Sequence, residues 1–589
     1  MKSHPSATAL LLLAAQALIT PTGGIPNCPY PGPAFPKPRS LASSDAIKTA
    51  IANLTTTFNA RGTDPAANPN STSWSIQVFS ASDADEDTPL WSHYHTATDL
   101  LTANTPGVKS VDGDTVYRLG SVTKIFTILT FLIEAGDTYW NTPVTQWVPE
   151  LELLAGKAQY DPVMNVEWET ITLQDLASHL AGIVRDYAIE GELTQENNQT
   201  VLEAKGFPPA PRNETPTCGE MIKCPRAEFF TGLSNVPPSF SPSWTAGYSN
   251  MGYQILSYAL EAITQKQFAP MLQSDIIDKL ELQHTFYQKP DDDSLGVIPE
   301  GHEDDWSYSI GEASPTGNMY SSASDLSRLG RAIFRHTLLA PAQTRRWLKP
   351  TALTSDIHEG VSSPWGIRRI PLSDGSRVVD AYSKAGSINV YMSLLVLLPD
   401  YDVGISALLA GGWPGNANWD IADNIGRALL PALEDAAREE ADANYAGIYT
   451  AAGDADLNST LVLSTDAARP GLGVDRWVSN GTDMIPVAVR YTLNYNVTAP
   501  SIRIYPTGLE SAAAADGTRK IAFKAVVENL DLTDHSSAMF STNCGTWVSQ
   551  TAAVYADMPL DQFVFTLGED GRAVSVTPLA LRTALLRNS

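Results

Sequence analysis

One run of apolar residues constrains the fold of this chain more than any other feature of its sequence. Residues 124–133 are Lys-Ile-Phe-Thr-Ile-Leu-Thr-Phe-Leu-Ile, so that after the lysine only two threonines interrupt the apolar side chains. A helix on a protein surface needs a polar face, and this run has none. The run therefore predicts a helix buried on all sides, and residues 116–121 before it predict a strand followed by a turn.

Ser121 and Lys124 occupy the start of this predicted helix. On their own, a serine and a lysine three residues apart indicate no more than a capped helix start with a solvated lysine. At the N-terminal end of a buried helix, however, residues i and i+3 share one face, so the Lys124 ammonium can reach the Ser121 hydroxyl. The amide groups of the first turn, which have no partner within the helix, add a positive field there. Such an arrangement would activate a serine to attack a carbonyl carbon.

Two further short segments complete the set of groups that acyl transfer needs. Tyr-Ser-Asn at residues 248–250 precedes an apolar stretch, residues 251–260, that predicts a second buried helix. A tyrosine in such a turn is more commonly a half-buried aromatic with a satisfied hydroxyl, but its place before this helix favours a role as a base. Lys-Ala-Gly at residues 384–386 precedes an apolar strand, residues 393–398, and the glycine would let a substrate lie close against the backbone.

These three segments, in this order, resemble the signature of the serine beta-lactamase and penicillin-binding-protein superfamily, which begins with Ser-x-x-Lys at the start of a buried helix. The resemblance is strongest to the class C, esterase and D-aminopeptidase branch and to fungal secreted beta-lactamase-like proteins. Residues 171–182 are similar to the helix and turn before the family's active-site roof, and residues 314–326 to a turn that enters a late helix. The resemblance covers residues 41–435 and implies an α/β (α+β) domain with a central antiparallel sheet flanked by helices.

The resemblance also implies a role for each residue of the signature. Ser121 would be the nucleophile and Lys124 its activator, while Tyr248 would serve as general base in acylation and as acid toward the leaving group. Asn250 would orient the substrate and Lys124. The backbone N–H groups of Ser121 and Ser387 would form the oxyanion hole.

Three positions depart from the pattern of the family. Ala385 stands between the substrate-binding residues Lys384 and Gly386, where threonine or serine is usual. A hydroxyl able to bind a substrate carboxylate is therefore missing, while the charge of the lysine remains, so the resemblance does not imply recognition of a beta-lactam carboxylate. Asn389 stands near a place where many relatives carry glycine, and Ser243 replaces a glycine in the segment before Tyr248; we interpret both as changes of pocket shape.

The sequence leaves three hypotheses about function open. The first is a serine hydrolase that forms an acyl-enzyme on Ser121 from a small-molecule ester or amide and then releases the acid to water. The second is an acyltransferase of the same fold, in which a hydroxyl or amine of a natural product replaces water. The third is a penicillin-binding-like module without catalysis, although retention of the serine, both lysines, the tyrosine and the asparagine argues against it.

We expect neither a metal nor a cofactor. His93 and His95 lack the neighbouring aspartate and the further ligands of a metal site, so a solvated or packed pair is favoured. His179, a conceivable base, corresponds to a structural histidine in the family that the chain resembles. The formal net charge of −26 argues against nucleic acid and anionic membranes as partners.

The first residues predict export. Lys2 and His4 precede the apolar stretch 7–18 and then small residues and proline, the order found in a cleavable signal peptide, which we place at residues 1–23. The apolar stretch is too short to span a membrane, and a proline-rich segment follows at residues 24–40. We therefore expect a secreted, extracellular protein with seven Asn-x-Ser/Thr sequons available for glycosylation: Asn53, Asn70, Asn198, Asn213, Asn458, Asn480 and Asn496.

Four cysteines in an exported chain predict two disulfides, for which three pairings are possible. The short spacing favours a bond between Cys218 and Cys224, which would close a proline-rich insertion at residues 207–225. That choice leaves Cys28 with Cys544, unless one of these two remains free.

Past residue 435 the pattern changes from alternating helices and strands to short β runs. Strands are predicted at residues 460–463, 485–491, 501–505, 521–527 and 562–567, and Gly-Glu-Asp-Gly at residues 568–571 predicts a hairpin. We therefore expect a second, smaller domain at residues 436–589, antiparallel and barrel-like. Its β structure is expected to begin at residues 445–449.

Overall fold

The computed structural model describes residues 28–82, 88–189, 192–212, 214–219, 222–373, 375, 377–413, 415–451, 458–494, 496–531 and 544–588. Its chain divides into two compact units. The larger unit consists of Arg39–Ile370 and Val379–Leu433, and the C-terminal unit consists of Glu434–Ser589 together with Pro371–Val378 and the residues up to Pro38. The predicted signal peptide, residues 1–23, lies outside the described residues.

An antiparallel sheet organises the larger unit. Its chain contributes the strands β1 (Thr72–Ser80), β2 (Trp91–His95), β3 (Tyr117–Arg118), β4 (Tyr320–Ser321), β5 (Ala352–Leu353), β6 (Glu359–Val361), β7 (Gly366–Pro371), β8 (Val378–Ile388), β9 (Tyr391–Leu398) and β10 (Val403–Gly411). Eight of them form one sheet in the order β2-β1-β10-β9-β8-β7-β6-β5, and β3 pairs with β4. Neighbouring strands run antiparallel wherever their register is described.

Helices pack on this sheet, which gives the α/β (α+β) architecture that the sequence predicted. Ala323–Phe334 contacts β1 and β10, and Asp45–Arg61 contacts β2. The remaining α-helices that begin in the larger unit are Thr98–Thr102, Thr123–Glu134, Pro149–Glu152, Leu173–Ala177, Leu193–Glu196, Gln199–Ala204, Arg226–Leu233, Met251–Thr264, Phe268–Leu272, Glu303–Ser307, Ser314–Gly317, Pro341–Trp347 and Ala417–Tyr445. The last of these passes through residues 435 and 436, where the sequence places the domain boundary, and that boundary stays a prediction.

The buried helix predicted at residues 124–133 forms as Thr123–Glu134. Every residue from its start to Leu132 is buried, and Phe126 and Ile128 have no exposed surface. Helices on several sides enclose it, among them Met251–Thr264, the second predicted buried helix. Each such aliphatic or aromatic side chain contributes about 1.5–3 kcal/mol by its burial. The start of this helix is therefore fixed firmly in the larger unit.

The C-terminal unit is built on a second antiparallel sheet. Its strands are β11 (Gly447–Ala451), β12 (Thr460–Asp466), β13 (Arg469–Ser479), β14 (Thr482–Asp483), β15 (Pro500–Glu510), β16 (Arg519–Asn529), β17 (Val554–Tyr555), β18 (Met558–Pro559), β19 (Gln562–Leu567), β20 (Ala573–Pro578) and β21 (Leu585–Arg587). Nine of them follow the order β12-β11-β21-β20-β19-β16-β15-β13-β14, and an additional pairing of β12 with β13 closes the sheet on itself. Four of the five predicted strands and the hairpin between β19 and β20 are confirmed.

The prediction of a strand at residues 485–491 is wrong, because this segment lies in the helix Met484–Leu493. Its valines and isoleucine favour a strand, but the ends of the segment carry helix signals that outweigh them. The Asp483 side chain accepts a backbone N–H of the first turn, and Asn494 ends the helix in the left-handed conformation. The helix then buries Ala488 and its apolar neighbours against the sheet.

The two disulfides that the sequence favoured are both present. Cys218 pairs with Cys224 in the larger unit, and Cys28 pairs with Cys544 in the C-terminal unit. Among the sequons, Asn213 lies outside the described residues, and the other six asparagines are exposed. Within the described ranges, no helix combines the length and the apolar character needed to cross a bilayer.

Candidate active site

The sequence segments of the predicted site meet around the hydroxyl of Ser121. Strand β3 leads into the turn Gly120–Val122, which places Ser121 directly before the helix Thr123–Glu134. The Lys124 Nζ donates a hydrogen bond to Ser121 Oγ at 3.0 Å, and the Tyr248 hydroxyl donates to the same oxygen at 2.7 Å. One serine oxygen thus faces two groups that can carry a proton to or from it.

Lys124 is fully buried and is held from three directions. Besides Ser121 Oγ, its Nζ donates to Asn250 Oδ1 at 2.7 Å and to the backbone carbonyl of Thr316 at 2.6 Å. These three acceptors match the three N–H bonds of an ammonium group. The lysine nitrogen is therefore fixed in a position that faces the serine.

Positive charges surround the ring of Tyr248. The ammonium nitrogens of Lys124 and Lys384 each lie 5.2 Å from the ring centroid, and the Arg185 guanidinium carbon lies 5.3 Å from it. Cations at such distances attract the ring face and would stabilise a transient negative charge on the phenol oxygen. This environment suits a tyrosine that takes part in proton transfer.

His179 packs against the other side of the tyrosine. The ring centroids of His179 and Tyr248 lie 4.4 Å apart, and His179 Nδ1 accepts the backbone N–H of Ser249 at 3.2 Å. Burial, together with the charges of Lys124 and Lys384, lowers the pKa of the imidazole well below its usual value. The ring is therefore neutral, and it contacts both the side chain of Tyr248 and the backbone of the next residue.

Lys384 lies on β8 and is buried, with its ammonium donating to the carbonyl of Ala385 at 2.7 Å. Burial lowers the pKa of Lys384 to about 8, while the neighbouring Tyr248 acts against that shift and the charge of Lys124 adds to it. This lysine consequently gains or loses its proton close to neutral pH.

Gly386 is a position where other atoms of the protein approach the backbone closely. A Cβ on Gly386 would lie 2.0 Å from the Leu119 carbonyl oxygen, 2.6 Å from Ser393 Oγ and 2.7 Å from the Ser121 nitrogen. Only glycine permits such contacts. The glycine thereby lets β8 lie directly against the turn that carries the serine.

The two backbone nitrogens assigned to the oxyanion hole border this contact. A Cβ on Gly120 would lie 2.7 Å from the nitrogen of Ser387, just as one on Gly386 would lie 2.7 Å from the nitrogen of Ser121. Both serines line a cavity of about 100 Å³. They therefore border the space in which the oxygen of a substrate carbonyl would become negative.

Asp186 belongs to the site, although the sequence did not indicate it. Its side chain is only 5% exposed, and both of its carboxylate oxygens accept hydrogen bonds from Asn250 Nδ2, at 3.0 and 3.1 Å. Arg185 Nε forms an ion pair with the same carboxylate at 3.2 Å. A single aspartate after a predicted turn carries no signal of periodicity or spacing, so the sequence offered no means to find it.

The two positions where the resemblance expects glycine both have a left-handed backbone. Ser243 has a φ of 60° and Asn389 a φ of 50°, a conformation that glycine adopts more easily than other residues do. Ser243 donates its hydroxyl to Asp175 Oδ1 at 2.8 Å, whereas Asn389 lines the 100 Å³ cavity. Of the two departures, Asn389 is thus the one that forms part of the cavity wall.

A second cavity, of about 1070 Å³, lies next to the first. Asp186 lines both cavities, and the other lining residues of the larger cavity come mainly from the chain between residues 187 and 237. The Cys218–Cys224 disulfide closes a loop within that stretch. Among the residues that the structure describes, no group of three or more His, Cys, Asp and Glu side chains could hold a metal ion.

Comparisons with known proteins identify the family of this chain. A model of the Beta-lactamase family matches residues 75–425, and one described as "Beta-lactamase-like-like, C-terminal domain" matches residues 437–589. The chain is 30% identical to the "Beta-lactamase-like protein" of Arthroderma benhamiae over 618 residues, covering 98% of this chain and 99% of that protein.

Two further relatives have names that refer to hydrolysis. The "Probable hydrolase clz13" of Cochliobolus lunatus is 26% identical over 80% of this chain and 75% of its own length. The "Unguisins hydrolase ungD'" of Aspergillus campestris is 24% identical over 58% of this chain and 55% of its own length. From the family match and the similarity along its whole length, we conclude that the chain belongs to the beta-lactamase family, among its beta-lactamase-like hydrolases.

Proposed function

We propose that this protein is a serine hydrolase that cleaves a small-molecule ester or amide through an acyl-enzyme on Ser121. The observation that carries the proposal is the convergence of Lys124 Nζ and the Tyr248 hydroxyl on one serine oxygen, at 3.0 and 2.7 Å. The serine itself is half-buried and borders a cavity, so a substrate can reach it. A serine nucleophile is activated by this kind of adjacent base.

In the acylation step, Ser121 Oγ forms a bond to the substrate carbonyl carbon and its proton passes to the Lys124–Tyr248 pair. The backbone N–H groups of Ser121 and Ser387 then face the carbonyl oxygen while it is negative, an effect that contributes about 10²–10³ in rate per donor in comparable sites. Tyr248 donates a proton to the departing alcohol or amine as the bond to the leaving group breaks. Positioned acid–base groups of this kind contribute about 10²–10⁴.

In the deacylation step, water takes the place of the leaving group. It attacks the acyl carbon and gives a proton to the same pair, and the bond to Ser121 Oγ breaks as that oxygen regains its proton. A hydroxyl or amine in place of water would transfer the acyl group instead. The relatives named as hydrolases support water as the acceptor.

Two features of the site support a substrate other than a beta-lactam. Ala385 provides no hydroxyl beside Lys384 for a substrate carboxylate. The cavity of about 1070 Å³ that shares Asp186 with the catalytic cavity is as large as pockets that hold drug-sized ligands, about 300–1,000 Å³. We therefore propose a substrate with a long arm in this larger cavity, and one relative has a name, unguisins hydrolase, that refers to a substrate other than a beta-lactam.

We further propose that the protein is secreted after removal of residues 1–23. Two disulfides are stable in an oxidising compartment, and six exposed sequons are accessible to glycosylation. A net charge of −26 gives nucleic acid and anionic membranes no electrostatic attraction. Peptide mapping of the protein from the culture medium of a eukaryotic host would test the cleavage site and the glycans, and a retained leader peptide would contradict the proposal.

The test of the proposed reaction is the intact mass of the protein after exposure to activated acyl esters, a fluorophosphonate and a penicillin. The Ser121→Ala variant is the control. We expect an adduct in the wild type alone, and its decay in water should release the acid. No adduct with any probe would favour the binding-module hypothesis, while faster decay with an added amine or alcohol, and formation of the new ester or amide, would favour the acyltransferase.

A further inference from the structure

Asn250 is held between two groups of opposite hydrogen-bonding character. Its Oδ1 accepts from Lys124 Nζ at 2.7 Å, and its Nδ2 donates to the carboxylate of Asp186 at 3.0 and 3.1 Å. An ionised carboxylate can only accept hydrogen bonds, so the end of the carboxamide that faces it must be the NH₂ group. The opposite end, which faces the lysine, must then be the oxygen.

This orientation of Asn250 determines what Lys124 presents to Ser121. To act as a base, the Lys124 ammonium must first lose one of its three N–H protons, and the neutral amine then has two N–H bonds and one lone pair. The Thr316 carbonyl, 2.6 Å from the nitrogen, can only accept and takes one N–H, and the Asn250 oxygen takes the other. The lone pair is left for the third direction, where Ser121 Oγ lies at 3.0 Å. It can there accept the proton of the serine.

The opposite orientation of the carboxamide would remove this base. Its NH₂ group would then donate to the lone pair of Lys124, and the lysine would present an N–H bond to Ser121. Asp186 disfavours that orientation because the carboxamide oxygen would face a carboxylate and leave buried hydrogen-bonding groups unsatisfied. The ion pair with Arg185 at 3.2 Å and an exposure of 5% keep the carboxylate in place.

We propose that Asp186 is a positioning residue for acyl transfer. By fixing the carboxamide of Asn250, it reserves the lone pair of neutral Lys124 for the proton of Ser121. This inference rests on the proposed function and names one more residue on which that reaction depends. Because Asp186 acts through Asn250, its replacement is expected to change the acylation rate constant more than KM.

The experiment compares acylation by an activated acyl ester in Asp186→Asn, Asn250→Asp and the double variant, each over a range of pH. Asp186→Asn allows both orientations of the carboxamide, and we expect acylation to slow roughly 10–100-fold, as when a supporting partner of a functional group is removed. The double variant exchanges the two groups, so that position 250 can only accept from Lys124 and position 186 donates to it. We expect it to acylate faster at its plateau than either single variant.

The pH profile separates this role from a general loss of structure. Besides Asp186 and its partner Arg185, the titratable groups near Lys124 are Tyr248, Tyr253, His179 and Lys384, and these four are the same in all variants. In the double variant, the carboxylate beside Lys124 favours the ammonium form, so the profile should move to higher pH. A protein that is only destabilised would acylate more slowly at every pH, and its pH profile would not shift.

Asp175→Asn is the matched control, because it makes the same change at another buried carboxylate of the larger unit. Asp175 is 8% exposed and is bonded to Thr172 and Ser243 instead of to the catalytic groups. This variant is expected to keep the wild-type pH profile of acylation. Its melting temperature shows how much stability the loss of a buried carboxylate costs.

The inference is overturned if Asp186→Asn acylates at the wild-type rate, or if the double variant is no faster than Asp186→Asn. If Asp186→Asn fails to fold, the double variant tests the inference by itself, because it retains both the carboxylate and the carboxamide. A folded double variant that does not acylate then overturns the inference. A wild-type protein that forms no adduct on Ser121 would instead overturn the proposed function, and the inference with it.

Discussion

Replacement of Gly386 by alanine is expected to slow acylation strongly, because the added methyl group has no space beside the nucleophile. Its carbon would lie 2.0 Å from the Leu119 oxygen and 2.7 Å from the Ser121 nitrogen, whereas non-bonded atoms are normally about 3.5–4.0 Å apart. Strand β8 and the turn that carries the serine must therefore separate by roughly 1 Å or more, and a displacement of that size disrupts catalytic geometry.

The size of the effect follows from this displacement. A misplacement of about 1 Å at reacting groups costs on the order of 100-fold in rate, and overpacking of a filled interior costs about 1–3 kcal/mol of stability. The rate constant should fall more than substrate affinity does, since the methyl group displaces the protein's own backbone. We therefore expect Gly386→Ala to acylate about 100-fold more slowly than the wild type and to melt at a lower temperature.

Stopped-flow acylation with an activated acyl ester and thermal unfolding measure the two effects. Gly366→Ala is the matched control: it makes the same change on β7, the strand next to β8, and the nearest atom to its Cβ would be 3.8 Å away. This control should acylate normally. Wild-type acylation and melting temperature in Gly386→Ala would show that the strand and the turn are not in direct contact.

Other changes test the individual roles in the site. Ser121→Ala should lose covalent labelling, as seen by intact mass, while its melting temperature stays unchanged; continued turnover would exclude this serine as the nucleophile. Lys124→Ala and Tyr248→Phe should each slow acylation about 100-fold or more in single-turnover kinetics, and near-normal rates would mean that the proton follows another route. Because burial lowers the pKa of Lys384 to about 8, its charge is lost as pH rises through that value. If the charge is needed, kcat/KM should decline above pH 8, and in Lys384→Arg the decline should move to higher pH, since guanidinium stays charged; an identical profile would remove Lys384 from this role.

The parts of the site that the sequence predicted are those fixed by strong local patterns. Residues 124–133 have no polar face, and a helix of that kind is buried wherever it occurs, so the position of Ser121 at its mouth followed directly. The second buried helix located Tyr248 and Asn250 in the same way. The need for glycine at residue 386 was also predicted, but a sequence does not show which atoms approach a glycine, and the Leu119 carbonyl could be identified only from the fold.

The parts that the sequence missed depend on contacts between distant segments or on competing local signals. Asp186 joins the site through Asn250, which is 64 residues away along the chain, and no spacing rule connects them. The helix at residues 484–493 has strand-forming side chains, and the prediction followed them without considering Asp483 as a capping residue. In both cases hydrogen bonds at single residues decide the structure, while hydrophobic patterns carry no information about them.

The discontinuous C-terminal unit imposes an order on the synthesis of this protein. Cys28 and Cys544 are 516 residues apart, so at about 5–20 residues per second Cys28 leaves the ribosome on the order of half a minute to two minutes before its partner. The larger unit, all of which is encoded between them, can fold during that interval. The segment that contains Cys28 is thus translated before the larger unit but forms its disulfide only after Cys544 has been made, and until then Cys28 must be kept from pairing with Cys218 or Cys224.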